Sequence, residues 1–356
     1  MLRGNKGEWS EIYAFCYILS SGILQAADKD LNPMTDIYFP VVKIIREETE
    51  GEKLEYRPEE KIKLYRSGKL IGEYKKEEFD GAVETMLRKI PEGTAGTFEI
   101  PELTSFFDDI KVSKLKADSN HKQDIDIQIH DINTGIAPIC GFSIKSYLGS
   151  NPTLINAGNG TNFIYRIENC SNAVMNSVNL ISSRRKIIER MSELRRNGCN
   201  LVFEKVLSSQ FDENMQFVDS RMPEIMGHLL MISYRDDIKD LPSAVKKMSE
   251  ENPLGFRNIN MYAYKVKKLL SACALGMTPE KKWEGAEDAN GGYIVVKHDG
   301  SVVCYYIYNR PDFEQYLFDY TYFERPGTDR YNYANVYKDG EQYRCMLNLQ
   351  VRFKKQ

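Results

Sequence analysis

Two neighbouring stretches carry the residues best suited to chemistry. Across residues 123–131, polar residues alternate with isoleucine. Period two puts Asp124, Asp126, Gln128 and His130 on one face and Ile125, Ile127 and Ile129 on the other. Asn133, Thr134 and Gly135 supply a turn, and residues 139–146 return as a second strand with Ser143 and Lys145 on one face. A turn near residues 134–135 sets Asp126 roughly opposite Ser143 and Asp124 roughly opposite Lys145. Carboxylates bind a hard cation such as Mg²⁺ through oxygen. A lysine beside them can stabilise charge developing on a phosphoryl group, or position and deprotonate an attacking water. The plainer reading is a solvated hairpin face, since a cross-strand Asp–Lys pair contributes only about 0.2–1 kcal/mol.

The elements around this hairpin follow from patterning. Residues 8–21 read as a helix closed by Gly22, with Ile12, Phe15 and Leu19 on its buried face. Residues 36–45 read as a strand and 61–74 as a hairpin turning at Ser67-Gly68; 101–107 reads as a short helix. Beyond the central hairpin come a strand at 161–167, a basic helix at 182–197 ending at Gly198, and an apolar strand at 200–206. Residues 221–274 are mostly helical, broken near Pro242 and Pro253. From residue 292 to 353 the pattern is β, with turns at 298–300 and 339–340. The order points to an α+β or α/β core with a helical insertion and a β-rich C-terminal region, with divisions near residues 210 and 285.

Composition is compatible with this. The chain has 356 residues, 42% hydrophobic, and 48 basic against 51 acidic side chains, for a net charge of −3. That excludes a histone-like polycation or a polyacidic tail, but not an enzyme with a local basic cleft. No stretch reaches the ~18 consecutive apolar residues of a membrane span, and the charged start is unlike a secretory signal. Seven scattered cysteines with no C-x-x-C pair read as reduced thiols of a cytoplasmic protein, and four isolated histidines argue against structural zinc.

The hairpin resembles the P-D…(D/E)-x-K nuclease superfamily, with Ser143 in place of the acid before x-K. More specifically, three stretches resemble the HpaII-type family of type II restriction endonucleases. They are NKGEWSEIY at 5–13, QDIDIQIHDINTGIAPICGFSIKS at 123–146 with TLINAGNGTNF at 153–163, and GGYIVVKHDGSVVCYYIYNR through LNLQVRF at 291–353. The likeness runs in order along the chain, weakest at about 30–110 and 210–285. It implies a restriction-endonuclease-like core of a mixed central sheet flanked by helices. The expected division is a catalytic core at 1–210, a helical segment at 211–285 and a β-rich DNA-recognition region at 286–356. It also implies Mg²⁺-dependent hydrolysis of each strand of 5′-CCGG-3′ between the two cytosines, a cytosine methyltransferase as genetic companion, and a homodimer as one candidate assembly.

Serine ligates Mg²⁺ weakly, so a second carboxylate has to come from elsewhere. Asp126 is one candidate. Glu11 is the other, because in related nucleases a first-helix glutamate a few residues after a glycine reaches the metal, and Gly7-x-x-x-Glu11 matches. Glu8 is better read as a first-turn acid facing the helix dipole. Asp124 is then the main metal ligand and Lys145 the charge stabiliser or water-orienting group, with Asp126, Glu11 and Ser143 in support. For DNA contact, Thr153, Asn156 and Thr161 offer hydroxyl and amide groups, and Arg184 and Arg185 lie in the basic helix. Arg325 and Arg330 are the candidates for reading guanine, since arginine is bidentate to its O6 and N7. The rival readings are a non-catalytic DNA-binding protein on a decayed core and a structure-specific nuclease such as a junction resolvase.

Overall fold

The first helix starts earlier than its hydrophobic pattern suggests. In the computed structural model it spans Lys6–Ser21. The Asn5 side chain accepts from the N–H of Gly7 at 2.8 Å and of Glu8 at 3.1 Å, while Glu8 Oε2 accepts from the Asn5 N–H at 2.8 Å. This reciprocal box satisfies donors that a helix start otherwise leaves orphaned. It also gives Glu8 its role, at the cap. Gly22, at φ 71°, closes the helix in the left-handed region. Trp9, Ile12, Phe15, Cys16 and Leu19 are fully buried, because the helix lies between the main sheet and the helix Lys76–Glu92. The structure describes residues 2–49, 51–94, 96–116, 123–132, 134–327 and 333–355.

The main sheet has nine strands. Its order is Ile23–Ala27, Val302–Tyr305, Gly292–Val296, Ile139–Ser146, Ile125–Ile129, Pro33–Thr49, Glu52–Pro58, Ile62–Arg66 and Lys69–Tyr74. Gly292–Val296 runs parallel to Ile139–Ser146, and Val302–Tyr305 parallel to Ile23–Ala27; the remaining pairs are antiparallel, so the sheet is mixed. The long strand Pro33–Thr49 also pairs through its first half with Ile23–Ala27, which curls the sheet back on itself. The hairpin at Ser67-Gly68 forms as expected, both turn residues having positive φ.

A second core lies beyond this sheet. A four-stranded sheet orders Asn200–Val206, Asn162–Glu168, Gln342–Asn348 and Tyr337–Asp339, and a three-stranded one orders Thr153–Ile155, Val351–Phe353 and Thr321–Phe323. Helices Ser209–Val218, Met222–Arg235, Leu241–Glu251 and Asn260–Leu275 pack with them. Strands of segment 286–356 join both the main sheet and the four-stranded one. Gly292–Val296 lies beside the central hairpin, whereas Gln342–Asn348 pairs with Asn162–Glu168. It is also not all β: helix Arg310–Asp319 starts with Pro311 in its first turn, where a missing N–H costs nothing. The basic helix begins at Lys186 rather than 182, which leaves Arg184 and Arg185 ahead of it. Among the described residues no helix is long and apolar enough to cross a membrane. The seven cysteines are free thiols.

Candidate active site

The central hairpin forms, in a register two residues from the one expected. Ile125 pairs with Phe142 and Asp126 with Gly141, and the Asp124 N–H donates to the Phe142 carbonyl at 2.8 Å. Asp124 therefore faces Ser143, not Lys145. The turn accounts for the shift: Gly135 N–H donates to the Asp131 carbonyl at 2.7 Å and Asp131 N–H to that of Ile136 at 2.9 Å, so the chain reverses sooner. An even shift leaves every side chain on its expected face. Asn133, also placed in the turn, lies outside the described residues.

Asp124 Oδ2 accepts the Ile144 N–H at 2.7 Å and the Ser143 hydroxyl at 3.2 Å. Ser143 is fully buried, so it holds the Asp124 carboxylate by hydrogen bonding. On its other side, in register on the parallel strand, stands the fully buried Tyr293.

Glu11 comes to this carboxylate from the helix. Its Oε2 is buried and, among the described residues, has no hydrogen-bond partner. Burial, reinforced by the negative charge of Asp124, pushes its pKa up to about 8, and the cations Lys145, Lys116 and Arg46 act in the opposite direction. An unpartnered buried oxygen beside a second carboxylate is a donor set suited to a hard divalent cation, which would neutralise the pair. Among the described residues no group of three or more His, Cys, Asp or Glu side chains gathers to hold a metal, so further ligands would be water or substrate oxygens. Asp126 sits two residues along the strand, where it accepts from the Gln123 amide at 3.0 Å.

Lys145 and Glu11 line one cleft of about 260 Å³, with Lys6, Ser10, Thr153 and Arg352 also on its walls. Lys145 Nζ donates to the Ile144 carbonyl at 3.2 Å, one contact that leaves other donors for a ligand. Behind the carboxylates, buried Arg46 pairs with Glu48 at 2.7 Å and donates to the Lys114 carbonyl at 2.7 Å. Glu48 in turn accepts from Ser113 N–H at 2.7 Å, so this pair ties down the segment leading towards Lys116.

The candidate DNA-contacting residues are scattered. Thr153 lines the cleft. Asn156 is exposed. Thr161 is fully buried: its hydroxyl takes the Gly158 N–H at 3.1 Å and the Asn348 amide at 3.1 Å, which makes it a brace of its loop. Arg184 is exposed, and Arg185 pairs with Asp237 at 2.7 Å. Arg325 is turned inward. Its guanidinium donates to the Ser233 hydroxyl at 2.9 Å and carbonyl at 2.7 Å and lies 4.3 Å from the Tyr234 ring centroid. In this position it is a strut between segments, with no fork left to meet a base. Arg330 lies outside the described residues.

The HpaII restriction endonuclease family model matches residues 5–353. The type II restriction enzyme HpaII of Haemophilus parainfluenzae is 36% identical over 361 aligned positions, covering 98% of each chain. The chain belongs to the HpaII restriction endonuclease family. It is accordingly a type II restriction endonuclease, a site-specific deoxyribonuclease. No solved structure gives a significant match. For an HpaII-family nuclease, the arrangement supplies paired carboxylates, a lysine and an open cleft, the parts that phosphodiester hydrolysis needs. Sequence reasoning missed Arg46, Lys116 and Arg352. Arg46 and Glu48 are two apart on a strand, so they share a face, a pattern that hints at an ion pair but not at its burial. Nothing local marks Lys116 or Arg352.

Proposed function

We propose that this enzyme hydrolyses one phosphodiester in each strand of the palindrome 5′-CCGG-3′, between the two cytosines, in a Mg²⁺-dependent reaction. The observation that carries the reading is that Glu11 and Lys145 line one cleft while Glu11 feels the charge of Asp124 beside it. Glu11 and Asp124 would hold the cation, which when bound supplies Lewis-acid polarisation and a more acidic bound water. Ser143 and the Ile144 N–H fix the Asp124 carboxylate. Lys145 orients the attacking water or steadies charge on the phosphoryl oxygens. Thr153 lies where a phosphate would enter, and Arg184 and Arg185 are further phosphate contacts from outside the cleft. A restriction-endonuclease-like core fits the mixed sheet carrying this hairpin. The same reading places the enzyme in the cytoplasm, working as a homodimer on a symmetric site and accompanied by a cytosine methyltransferase that protects the host's own copies of it. Digestion of plasmid DNA with and without Mg²⁺, followed by sequencing of the ends, tests it. Ends at CCGG only with the metal are expected, and cuts at another sequence would overturn the specificity.

A further inference from the structure

Arg352 sits in strand Val351–Phe353 at the C-terminal end of the chain, in register with Thr153 on one side and Tyr322 on the other. Its side chain is 31% exposed and shares the cleft with Glu11 and Lys145, about 340 residues and 200 residues away in sequence. Among the described residues its ion-pair partner is Glu324, whose Oε2 lies 3.0 Å from Nε without the alignment of a hydrogen bond. Nη1 and Nη2 therefore carry no protein hydrogen bond there. Of the other arginines considered for DNA contact, Arg325 is held by Ser233, whereas Arg184 and Arg185 are exposed and outside this cleft, Arg185 pairing with Asp237.

An arginine with an unbonded fork matches two oxygens of a phosphate. Thr153, its register partner across the strand pair, adds a hydroxyl on the same wall. Gly149, Ser150, Asn151 and Pro152 also line the cleft. Lys6, whose ammonium donates to the Pro91 carbonyl at 2.8 Å, adds a point charge to the same cleft without a planar fork.

We infer that Arg352 is the phosphate anchor of the cleft, gripping a DNA phosphate that neighbours the one cut. Glu324 pairs electrostatically with its Nε and competes with the phosphate for its charge. This rests on the reading of the cleft as the site of DNA cleavage, and it adds which residue seats the strand there.

The test is duplex binding in Ca²⁺, across a salt series, for the full-length protein. Arg352→Ala is expected to bind about tenfold more weakly, with the salt slope reduced by about one unit, the loss of one phosphate contact. Arg352→Lys keeps the charge and loses the fork, so the slope returns while affinity recovers only in part. Glu324→Gln removes the competing anion without removing the arginine, and binding within about threefold of wild type or tighter is expected. Duplexes carrying a single methylphosphonate locate the contact: one neutral linkage beside the cut should weaken wild-type binding and leave Arg352→Ala unaffected. Unchanged affinity and slope in Arg352→Ala, or equal sensitivity of both proteins to every methylphosphonate, overturns the anchor. Should Arg352→Ala not fold, the lysine variant and the methylphosphonate scan of wild type decide. None of these readouts involves cleavage, so a wild-type protein that binds duplex but leaves it uncut in Mg²⁺ would fail the catalytic reading alone.

Discussion

A carboxylic acid buried beside a second carboxylate keeps its proton until a cation arrives. Glu11 is in that position, its pKa lifted to about 8 first by burial and then by Asp124. A pKa raised on folding means that the folded chain holds the proton more tightly than the unfolded one. The Glu11 contribution to metal-free stability is thus most favourable below the unfolded value near 4.5, and is lost as pH rises towards about 8. Glu11→Gln removes this penalty. In EDTA its melting temperature is expected to match wild type near pH 4 and to exceed it increasingly up to pH 8, a gap of a few kcal/mol. Melting curves over that range check it; parallel curves would mean that Glu11 is solvated. The same variant is expected to lose on the order of 10²-fold or more in cleavage rate. Glu8→Gln should lose little, because glutamine can still close the cap on Asn5. Lys145→Ala is expected to abolish cleavage while duplex binding stays within about tenfold, since the lysine acts on charge that develops in the transition state. Near-normal cutting by that variant would move the chemistry elsewhere.

Elements set how those side chains meet. The helix Lys6–Ser21 projects Glu11 from a face otherwise buried, and its start is held by Asn5. Asn5→Ala should cost about 1 kcal/mol of stability, read by denaturant midpoint. It should cost more in apparent Mg²⁺ affinity than a cap on a distant helix, because the first turn carries Gly7 and Ser10 of the cleft. The hairpin shows why its register slip was harmless: moving by two residues exchanged Asp126 for Asp124 opposite Ser143 and flipped nothing. Arg325 belongs at this scale too. It joins the helix Met222–Arg235, through Ser233 and Tyr234, to the segment after strand Thr321–Phe323. Arg325→Ala should lower stability by about 1–3 kcal/mol and lower DNA binding only as far as the fold loosens. Arg184→Ala should instead leave melting unchanged and reduce the salt slope by about one. A selective loss of G·C preference in Arg325→Ala at unchanged melting temperature would restore it as a base reader.

At the scale of the whole molecule, the C-terminal strands are part of the catalytic sheet. Gly292–Val296 lies parallel against Ile139–Ser146, and Val302–Tyr305 joins Ile23–Ala27. A chain ended at residue 285 loses both, and strand Ile139–Ser146 is left with an unpaired edge. Such a fragment is expected to show no cooperative thermal transition by circular dichroism and no cleavage. A cooperative melt near the wild-type temperature would show that residues 286–356 are a dispensable attachment.

The amino-acid sequence by itself determined which faces of the central strands carry chemistry, because side-chain alternation is local and survives any even slip in register. It determined the first helix, its glycine stop and the Gly7-to-Glu11 spacing, and the ordered likeness of three stretches was enough to indicate the family. Other features depended on packing between distant segments. Glu11, not Asp126, meets Asp124, because the helix lies against that end of the hairpin and buries Glu11 there. Ser143 is a brace for Asp124 because the turn at Asp131 brings the two opposite. Thr161 and Arg325 look like free polar groups in a linear reading, yet each is enclosed by partners dozens to nearly two hundred residues away. Arg352 enters the cleft through a strand pairing that no local pattern encodes. Periodicity reports which way a side chain points relative to its own backbone. What it meets there depends on long-range packing, which only the tertiary structure specifies.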